Sequence, residues 1–86
     1  MSGESLDEKV TRILLEYALR APDVRPLPLS LSLRLDLKVD SLSLVSVAIR
    51  LGEEFGIDLV ERGADLGDLE TVGDLVKFAQ TLDSAA

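Results

Sequence analysis

Cysteine and histidine are both absent from this 86-residue chain, which also has no tryptophan, one tyrosine and two phenylalanines. Without cysteine there is no disulfide framework and no thiolate ligand for a metal. Without histidine the chain lacks the commonest general base, the usual partner of a catalytic serine and the commonest zinc ligand. We therefore expect a protein that is not an enzyme and that holds no metal.

Signals for export or membrane insertion are also missing. The N-terminus has no positively charged region followed by an apolar run, and no apolar stretch is long enough to span a bilayer. The length corresponds to one domain with a small core. We expect a single, monomeric domain over residues 1–86, located in the cytoplasm and not inserted in a membrane.

Charge is distributed unevenly along the sequence. The net charge is −7; residues 1–40 contain seven acids and six bases, whereas residues 41–86 contain nine acids and three bases. The acidic second half would repel the phosphates of a nucleic acid, which argues against that partner. It favours a basic patch on another protein, although the same charge can serve solubility alone.

Apolar residues at helical spacing predict three main helices, over residues 5–20, 41–55 and 71–82. A fourth, short helix is predicted over residues 60–66. The predicted fold is therefore all-α: a four-helix bundle of three main helices plus one short helix, with a long connector between the first two helices. Capping boxes mark the starts of the first and last helices, at Ser5 with Glu8 and at Thr71 with Asp74.

The connector between the first two helices has an alternating pattern. Every second residue from Leu27 to Val39 is apolar, which by pattern alone predicts a half-buried strand. No other segment has a strand pattern that could pair with it, and prolines weaken its first part. We expect an extended connector that inserts some of its leucines between the helices. A short 3₁₀ turn and a short helix around residues 30–35 are both left open.

The second predicted helix has a wider apolar surface than one core face requires. The stripe assigned to the core consists of Leu42, Val45, Ala48, Ile49 and Phe55, and a second stripe beside it of Leu44, Val47 and Leu51. Either part of this helix presents apolar surface to a partner, or the helix is buried on two sides. Gly52 indicates a close helix approach, and Gly56 suits a C-terminal cap.

Residues 57–70 form a connector rich in aspartate and glycine. Its acids stand at positions 58, 61, 65, 68 and 70, a spacing that does not match a calcium-binding loop. We expect no metal site in this segment.

Ser41 lies between Asp40 and Leu42 at the predicted start of the second helix. Serine and aspartate are common N-caps, so capping by either residue is one interpretation. The other is covalent attachment of a phosphate-linked group, because a helix N-terminus exposes the hydroxyl and favours negative charge. A core of aliphatic side chains with few aromatic residues could admit an aliphatic chain.

A set of residues spread over nearly the whole chain matches one known pattern. It consists of Asp36-Leu37, Asp40-Ser41-Leu42, Val45, Leu51, Glu53-Glu54-Phe55, Ile57 or Leu59, and Thr71-Val72. The tripeptide around the serine is short, but Glu-Glu-Phe begins twelve residues after that serine and Thr-Val thirty residues after it. The combination resembles the acyl carrier protein family.

The resemblance implies that Ser41 carries 4′-phosphopantetheine, added from coenzyme A by a phosphopantetheinyl transferase that reads Asp40, with Leu42 following the site. It implies acyl cargo held as thioesters for fatty-acid, polyketide or specialised lipid biosynthesis, on a protein that is a substrate for other enzymes. Acyl-loading and acyl-processing enzymes with basic or apolar docking patches would recognise the second helix, at Leu44, Val47, Arg50, Glu53 and Glu54.

Several positions depart from the family pattern. Lys38 stands where a glycine is common, and Ser43, Ser46 and Gly52 stand where family members are often acidic. Arg50 adds a positive charge to the same helix. This thinned acidic face predicts a specialised carrier served by dedicated partners. Two alternatives stay open: an aminoacyl or peptidyl carrier, and an unmodified acidic helical interaction module.

Overall fold

The architecture is all-α. A computed structural model describes residues 4–20, 22–23, 27–59, 66 and 69–85. Its helices are α1 (Leu6–Tyr17), α2 (Ser41–Glu54) and α3 (Val72–Ala85). These described residues form no strand; one isolated antiparallel bridge joins Ser32 to Thr71.

Part of the connector over residues 57–70 lies outside the residues that the structure describes. The predicted short helix over residues 60–66 lies, except for its last residue, outside the described residues. The same is true of three of the acids considered for calcium binding, at positions 61, 65 and 68. No helix in the described part of the chain has the length and hydrophobicity needed to cross a membrane.

Both predicted capping boxes are present. The backbone N–H of Glu8 donates to Ser5 Oγ at 3.2 Å, and the N–H of Ser5 donates to Glu8 Oε1 at 2.8 Å. At the start of α3, Asp74 N–H donates to Thr71 Oγ1 at 3.2 Å and Thr71 N–H donates to Asp74 Oδ2 at 3.1 Å. Each pair satisfies two backbone donors that a helix start leaves without internal partners.

The end of α1 differs from the prediction. The helix ends at Tyr17 instead of continuing to Arg20, because Ala18 adopts an extended conformation with ψ 133°. The backbone N–H groups of Leu19 and Arg20 donate to the carbonyl of Leu37 at 3.1 and 3.2 Å. The connector thus provides an acceptor for these two donors in place of the carbonyls of a longer helix.

The alternating segment folds into turns. Residues 29–30 and 33–36 form turns, and neither a helix nor a 3₁₀ turn is assigned over residues 30–35. The N–H groups of Asp36 and Leu37 both donate to Ser32 O, at 2.9 and 3.2 Å. This bend separates the apolar residues into two sets. Leu29 and Leu35 are 58 % and 69 % exposed. Four other apolar residues of the segment are no more than 4 % exposed: Leu27, Leu33, Leu37 and Val39.

The same segment is joined to the start of α3 by backbone hydrogen bonds. The N–H of Val72 donates to Leu31 O at 3.0 Å, and the N–H of Gly73 donates to Leu29 O at 2.9 Å. A Cβ at position 73 would lie 3.1 Å from Leu29 O, so glycine allows this close approach. These bonds satisfy helix-start donors of α3 and fix the segment that leads to Ser41.

The core lies between the three helices and the connector. Its members are buried aliphatic side chains: Val10, Ile13 and Leu14 from α1, Val47, Ala48 and Leu51 from α2, and Val72, Leu75, Val76, Ala79 and Leu82 from α3, together with the buried connector residues. Ion pairs border the α1–α2 contact, where Arg50 Nη1 lies 2.6 Å from Glu16 Oε1 and Arg12 Nη2 lies 3.3 Å from Glu54 Oε1.

The face that α2 turns to the core differs in part from the predicted one: Ala48 is buried as predicted, together with residues of the second stripe. Val47 and Leu51 are fully buried, whereas Leu42 is 80 % and Val45 is 41 % exposed. The stripe that the sequence assigned to the core was therefore wrong for its first two members. Arg50 and Glu54, both paired with α1, follow Val47 at helical spacing, so these ion pairs lie beside the Val47 stripe and orient it inward.

The end of α2 is a Schellman motif. Gly56 has φ 71°, its N–H donates to Glu53 O at 3.2 Å, and the N–H of Ile57 donates to Gly52 O at 2.8 Å. The predicted cap at Gly56 is confirmed. The close approach at Gly52 comes from the chain that follows the helix and not from another helix, since a Cβ there would lie 2.7 Å from Ile57 O.

Candidate functional site

Asp40 is the N-cap of α2. Its backbone is extended, with φ −80° and ψ 178°, and its Oδ1 accepts the N–H of Ser43 at 2.8 Å. Its carbonyl accepts the N–H of Leu44, also at 2.8 Å. Ser41 is the first residue of the helix and is exposed. The sequence allowed either residue to be the cap; in the structure Asp40 takes that role, and the hydroxyl of Ser41 is not used for it.

The carboxyl group of Asp40 is held in its ionised form. The hydrogen bonds from Ser43, the backbone one first, lower the pKa of Asp40 below its ordinary value. A carboxylate at this position also interacts favourably with the positive end of the helix dipole. The attachment candidate therefore stands directly after a fixed negative charge.

Arg34 is a site residue that the sequence analysis missed. Its Nη2 lies 3.5 Å from Ser41 Oγ, at the outer limit of a hydrogen bond. The alternation of the connector contained a signal, because it places Arg34 on the side opposite to the leucines. The alternating pattern did not predict the turn that brings this side chain back to the start of α2.

Lys38 has φ 56°, in the left-handed region that favours glycine. This explains physically why a lysine here is a departure from a pattern in which glycine is common. The next residue, Val39, is buried, and its N–H donates to Leu33 O at 2.8 Å. The left-handed turn at Lys38 therefore connects the buried part of the connector to the exposed pair of Asp40 and Ser41.

An open cleft of about 570 Å³ adjoins Ser41. Its lining combines aliphatic and charged side chains: Ser32, Leu33, Arg34, Leu35, Val39, Asp40, Ser41, Leu44, Leu69 and Glu70. The exposed hydroxyl, the helix start, the nearby guanidinium and this cleft together suit a covalently attached phosphodiester with an extended organic chain.

The residues predicted to contact partners do not form one surface. Val47 is fully buried, so the expectation that it offers an apolar contact is corrected; Leu44 is half-buried beside the cleft. Leu42 and Val45 supply the exposed apolar surface at this end of α2 instead. The sequence shows two apolar stripes on this helix. Periodicity alone did not identify which of their residues face solvent.

The charged residues predicted for partner recognition differ in whether they form ion pairs. Arg50 is paired with Glu16, and Glu54 is paired with Arg12, with Lys9 at 4.0 Å. Glu53 is exposed and has no ion pair among the described residues. Much of the charge on α2 is therefore neutralised by α1.

Comparison with known proteins gives a family. The profile of the family described as phosphopantetheine attachment site matches residues 8–79. An acyl carrier protein of Rhodococcus erythropolis (strain PR4 / NBRC 100887) is 39% identical over 49 residues, 57% of this chain and 52% of the relative. Meromycolate extension acyl carrier proteins of Mycolicibacterium smegmatis and Mycobacterium tuberculosis (strain ATCC 25618 / H37Rv) are each 40% identical over 48 residues, 56% of this chain. Those residues are 46% and 40% of the two relatives.

The chain spans about half the length of the curated relatives it matches. No solved structure matches it. The helical fold, the exposed serine after its cap and the family match define the class, a phosphopantetheine-binding carrier domain. The chain belongs to the acyl carrier protein family. Its cofactor is 4′-phosphopantetheine, bound covalently, and a carrier of this family is not itself an enzyme.

Proposed function

We propose that Ser41 is the residue to which 4′-phosphopantetheine is attached, and that the chain carries acyl groups as thioesters on this arm. The observation that carries the proposal is the division of roles at the start of α2. Asp40 satisfies the N–H of Ser43, while the neighbouring hydroxyl of Ser41 is exposed and takes no part in the cap.

Attachment requires a separate phosphopantetheinyl transferase. A bond forms between Ser41 Oγ and the phosphorus of the 4′-phosphopantetheine group as the pyrophosphate link of coenzyme A breaks. Adenosine 3′,5′-bisphosphate leaves, and a base of the transferase takes the hydroxyl proton. Since the chain contains no cysteine, the thiol of the arm is then the one thiol available for a thioester.

Acyl cargo is favoured over aminoacyl cargo. The similar curated proteins are named acyl carrier proteins, and several are named for meromycolate extension. The cleft beside Ser41 has aliphatic side chains on part of its lining, from Leu33, Leu35 and Leu44. We infer a role in fatty-acid or specialised lipid biosynthesis, with the polyketide pathways as a related use of the same chemistry.

The partners are enzymes that load and process the acyl group, acting on a monomeric carrier in the cytoplasm. Exposed Leu42 and Val45 offer them an apolar contact next to the arm. The acidic second half of the sequence favours basic groups at the rim of the docking patch. The pairing of Glu54 with Arg12 of α1 neutralises an acidic charge of α2, which supports the specialised character expected from the thinned acidic face.

The test is modification by coenzyme A and a phosphopantetheinyl transferase, followed by intact mass measurement. The unaltered protein gains the mass of one arm and becomes reactive to maleimide. Ser41→Ala gains neither, because the attacking hydroxyl is gone. Ser43→Ala is the matched control and is modified normally. A Ser41→Ala variant that still gains the mass would contradict the assignment, and an unmodified wild type would overturn the proposal.

A further inference from the structure

We infer that Arg34 clamps the phosphodiester of the attached arm and so fixes the direction in which the arm leaves Ser41. This inference rests on the proposed attachment at Ser41. It makes Arg34 a positioning residue for the prosthetic group, with the organic phosphate diester as its ligand.

The distance between the two side chains suits this role. Arg34 Nη2 lies 3.5 Å from Ser41 Oγ, which is long for a hydrogen bond to a hydroxyl. After attachment the non-bridging phosphate oxygens are two bonds from Oγ, through the phosphorus, and carry the negative charge. A guanidinium can donate two parallel N–H bonds to such a pair of oxygens, at shorter distances than to a neutral hydroxyl.

The backbone on which Arg34 stands is held firmly. Ser32 N–H donates to Asp36 Oδ2 at 2.7 Å, and Leu35 N–H donates to Ser32 Oγ at 3.0 Å, so the turn around Arg34 is closed from both sides. The preceding Leu33 is buried, and its N–H donates to Glu70 O at 2.9 Å. Little backbone freedom therefore has to be lost when the side chain binds the phosphate.

The charge of Arg34 is available for a ligand. Arg12 and Arg50 are each paired with carboxylates, whereas Arg34 pairs with no carboxylate among the residues that the structure describes. Attachment places a new negative charge next to the carboxylate of Asp40, on a chain whose net charge is already −7. A cation at this position offsets that repulsion.

The clamp also determines where the arm begins its path. Arg34 and Ser41 line the same cleft, between the connector and the start of α2. A phosphodiester held by both residues starts the arm at the mouth of that cleft instead of leaving it free to point along the axis of α2.

The experiment compares apo and fully modified protein by NMR. Wild type, Arg34→Gln, Arg34→Lys and the charge-matched control Arg20→Gln are modified and checked by mass. In wild type and Arg20→Gln, modification slows exchange of the Arg34 guanidinium protons with water by about tenfold. The ³¹P resonance of holo Arg34→Gln moves towards that of free phosphopantetheine esters. Arg34→Lys gives an intermediate shift because it keeps the charge and loses the paired donors.

Two results distinguish failure of the clamp from failure of the proposed function. If wild type gains the arm, but the Arg34 guanidinium exchange rate is the same in apo and modified protein and the ³¹P shift is the same in modified wild type and Arg34→Gln, the clamp is wrong and the carrier assignment stands. If wild type gains no arm at Ser41, the attachment proposal itself fails, and the clamp with it.

Discussion

Asp40 and Ser41 have separate tasks at the level of single residues. The carboxylate of Asp40 accepts the N–H of Ser43 and so completes the start of α2. Among the described residues, the hydroxyl of Ser41 takes no part in the cap and lies 3.5 Å from Arg34 Nη2. Replacing Ser41 should therefore affect chemistry much more than folding, which makes its variants suitable for functional tests.

Lys38→Gly should stabilise the fold. Lysine at φ 56° is disfavoured by contact between Cβ and the backbone, and glycine removes that contact at some cost in chain entropy. We expect the free energy of unfolding to rise by about 1 kcal/mol and the Tm to rise by about 5 °C. Thermal unfolding followed by circular dichroism measures both.

Lys38→Ala separates the backbone effect from the effect of charge. Alanine removes the ammonium group but keeps Cβ, so it should give little or none of the gain. A Lys38→Ala variant as stable as Lys38→Gly would show that the lysine charge, and not the left-handed backbone, is the source of the effect.

The sequence predicted part of the site and not the rest. Ser41 could be proposed as the attachment site because its position relative to Glu53 and Thr71 is visible along the chain. Arg34 could not, because its approach to Ser41 depends on the turn closed by Ser32 and Asp36. A contact made by side chains across a turn leaves no fixed spacing in the sequence.

At the level of elements, the orientation of α2 determines which of its apolar residues are exposed and so available to the proposed partner enzymes. Two apolar stripes of similar quality lie side by side on this helix. The pairs of Arg50 with Glu16 and of Glu54 with Arg12 accompany the orientation that buries Val47. This orientation leaves Leu42 and Val45 exposed near Ser41, the proposed attachment site.

Val45→Ala and Val47→Ala form a matched pair on one helix. Val47 is fully buried, so its truncation should lower the free energy of unfolding by about 2 kcal/mol. Val45 is 41 % exposed, so its truncation should change stability by less than about 0.5 kcal/mol. Denaturant titration of both variants measures the difference.

The variants Val45→Ala and Val47→Ala also test whether Val45 belongs to the proposed apolar docking surface. Val45→Ala removes apolar contact area and should raise the KM of an acyl-loading partner by about fivefold without a matching loss of stability. Equal losses of stability in the two variants would contradict the orientation of α2. An unchanged KM for Val45→Ala would remove this residue from the docking surface.

The connector shows where patterns along the sequence stop being informative. Its alternation of apolar residues from Leu27 to Val39 is regular, yet the bend at Ser32 sends Leu33 and Leu37 inward and leaves Leu35 exposed. The helices were predictable because capping boxes and periodicity are local signals. The bend and the early end of α1 depend on hydrogen bonds between distant segments, including those from Leu19 and Arg20 to Leu37.

At the level of the whole molecule, excess negative charge and carboxylate caps act on stability in opposite directions. The net charge is −7 at neutral pH and approaches zero near the isoelectric point of about 4.4. Loss of self-repulsion favours the folded state as the pH falls to that range. Hydrogen bonds from backbone N–H groups lower the pKa of Asp40 and of Asp74, so both caps are stronger while these groups are ionised.

Stability should therefore be greatest at mildly acidic pH and fall steeply below about pH 4. A carboxyl whose pKa is lower in the folded state stabilises the fold above its unfolded pKa of 3.8, and this contribution is lost as the pH falls through the lower folded value. Tm measured by circular dichroism from pH 7 to pH 2 gives the profile.

The double variant Asp40→Asn with Asp74→Asn provides the comparison. Asparagine can still cap a helix but does not titrate, so the decline below pH 4 should become shallower. Asp83→Asn, which removes a carboxyl that caps no helix, should keep the steep decline. If the double variant loses stability on acidification as steeply as wild type, the caps are not the cause.

The central claim is that Ser41 bears the arm, and site-resolved mass spectrometry tests it most directly. The protein is incubated with coenzyme A and a phosphopantetheinyl transferase, digested, and fragmented so that each serine of the Asp40–Ser46 region is separated. We predict one phosphopantetheine group per chain, with all of the added mass on Ser41. Added mass on Ser43 or Ser46, or an unmodified Ser41 in a fully modified protein, would contradict it.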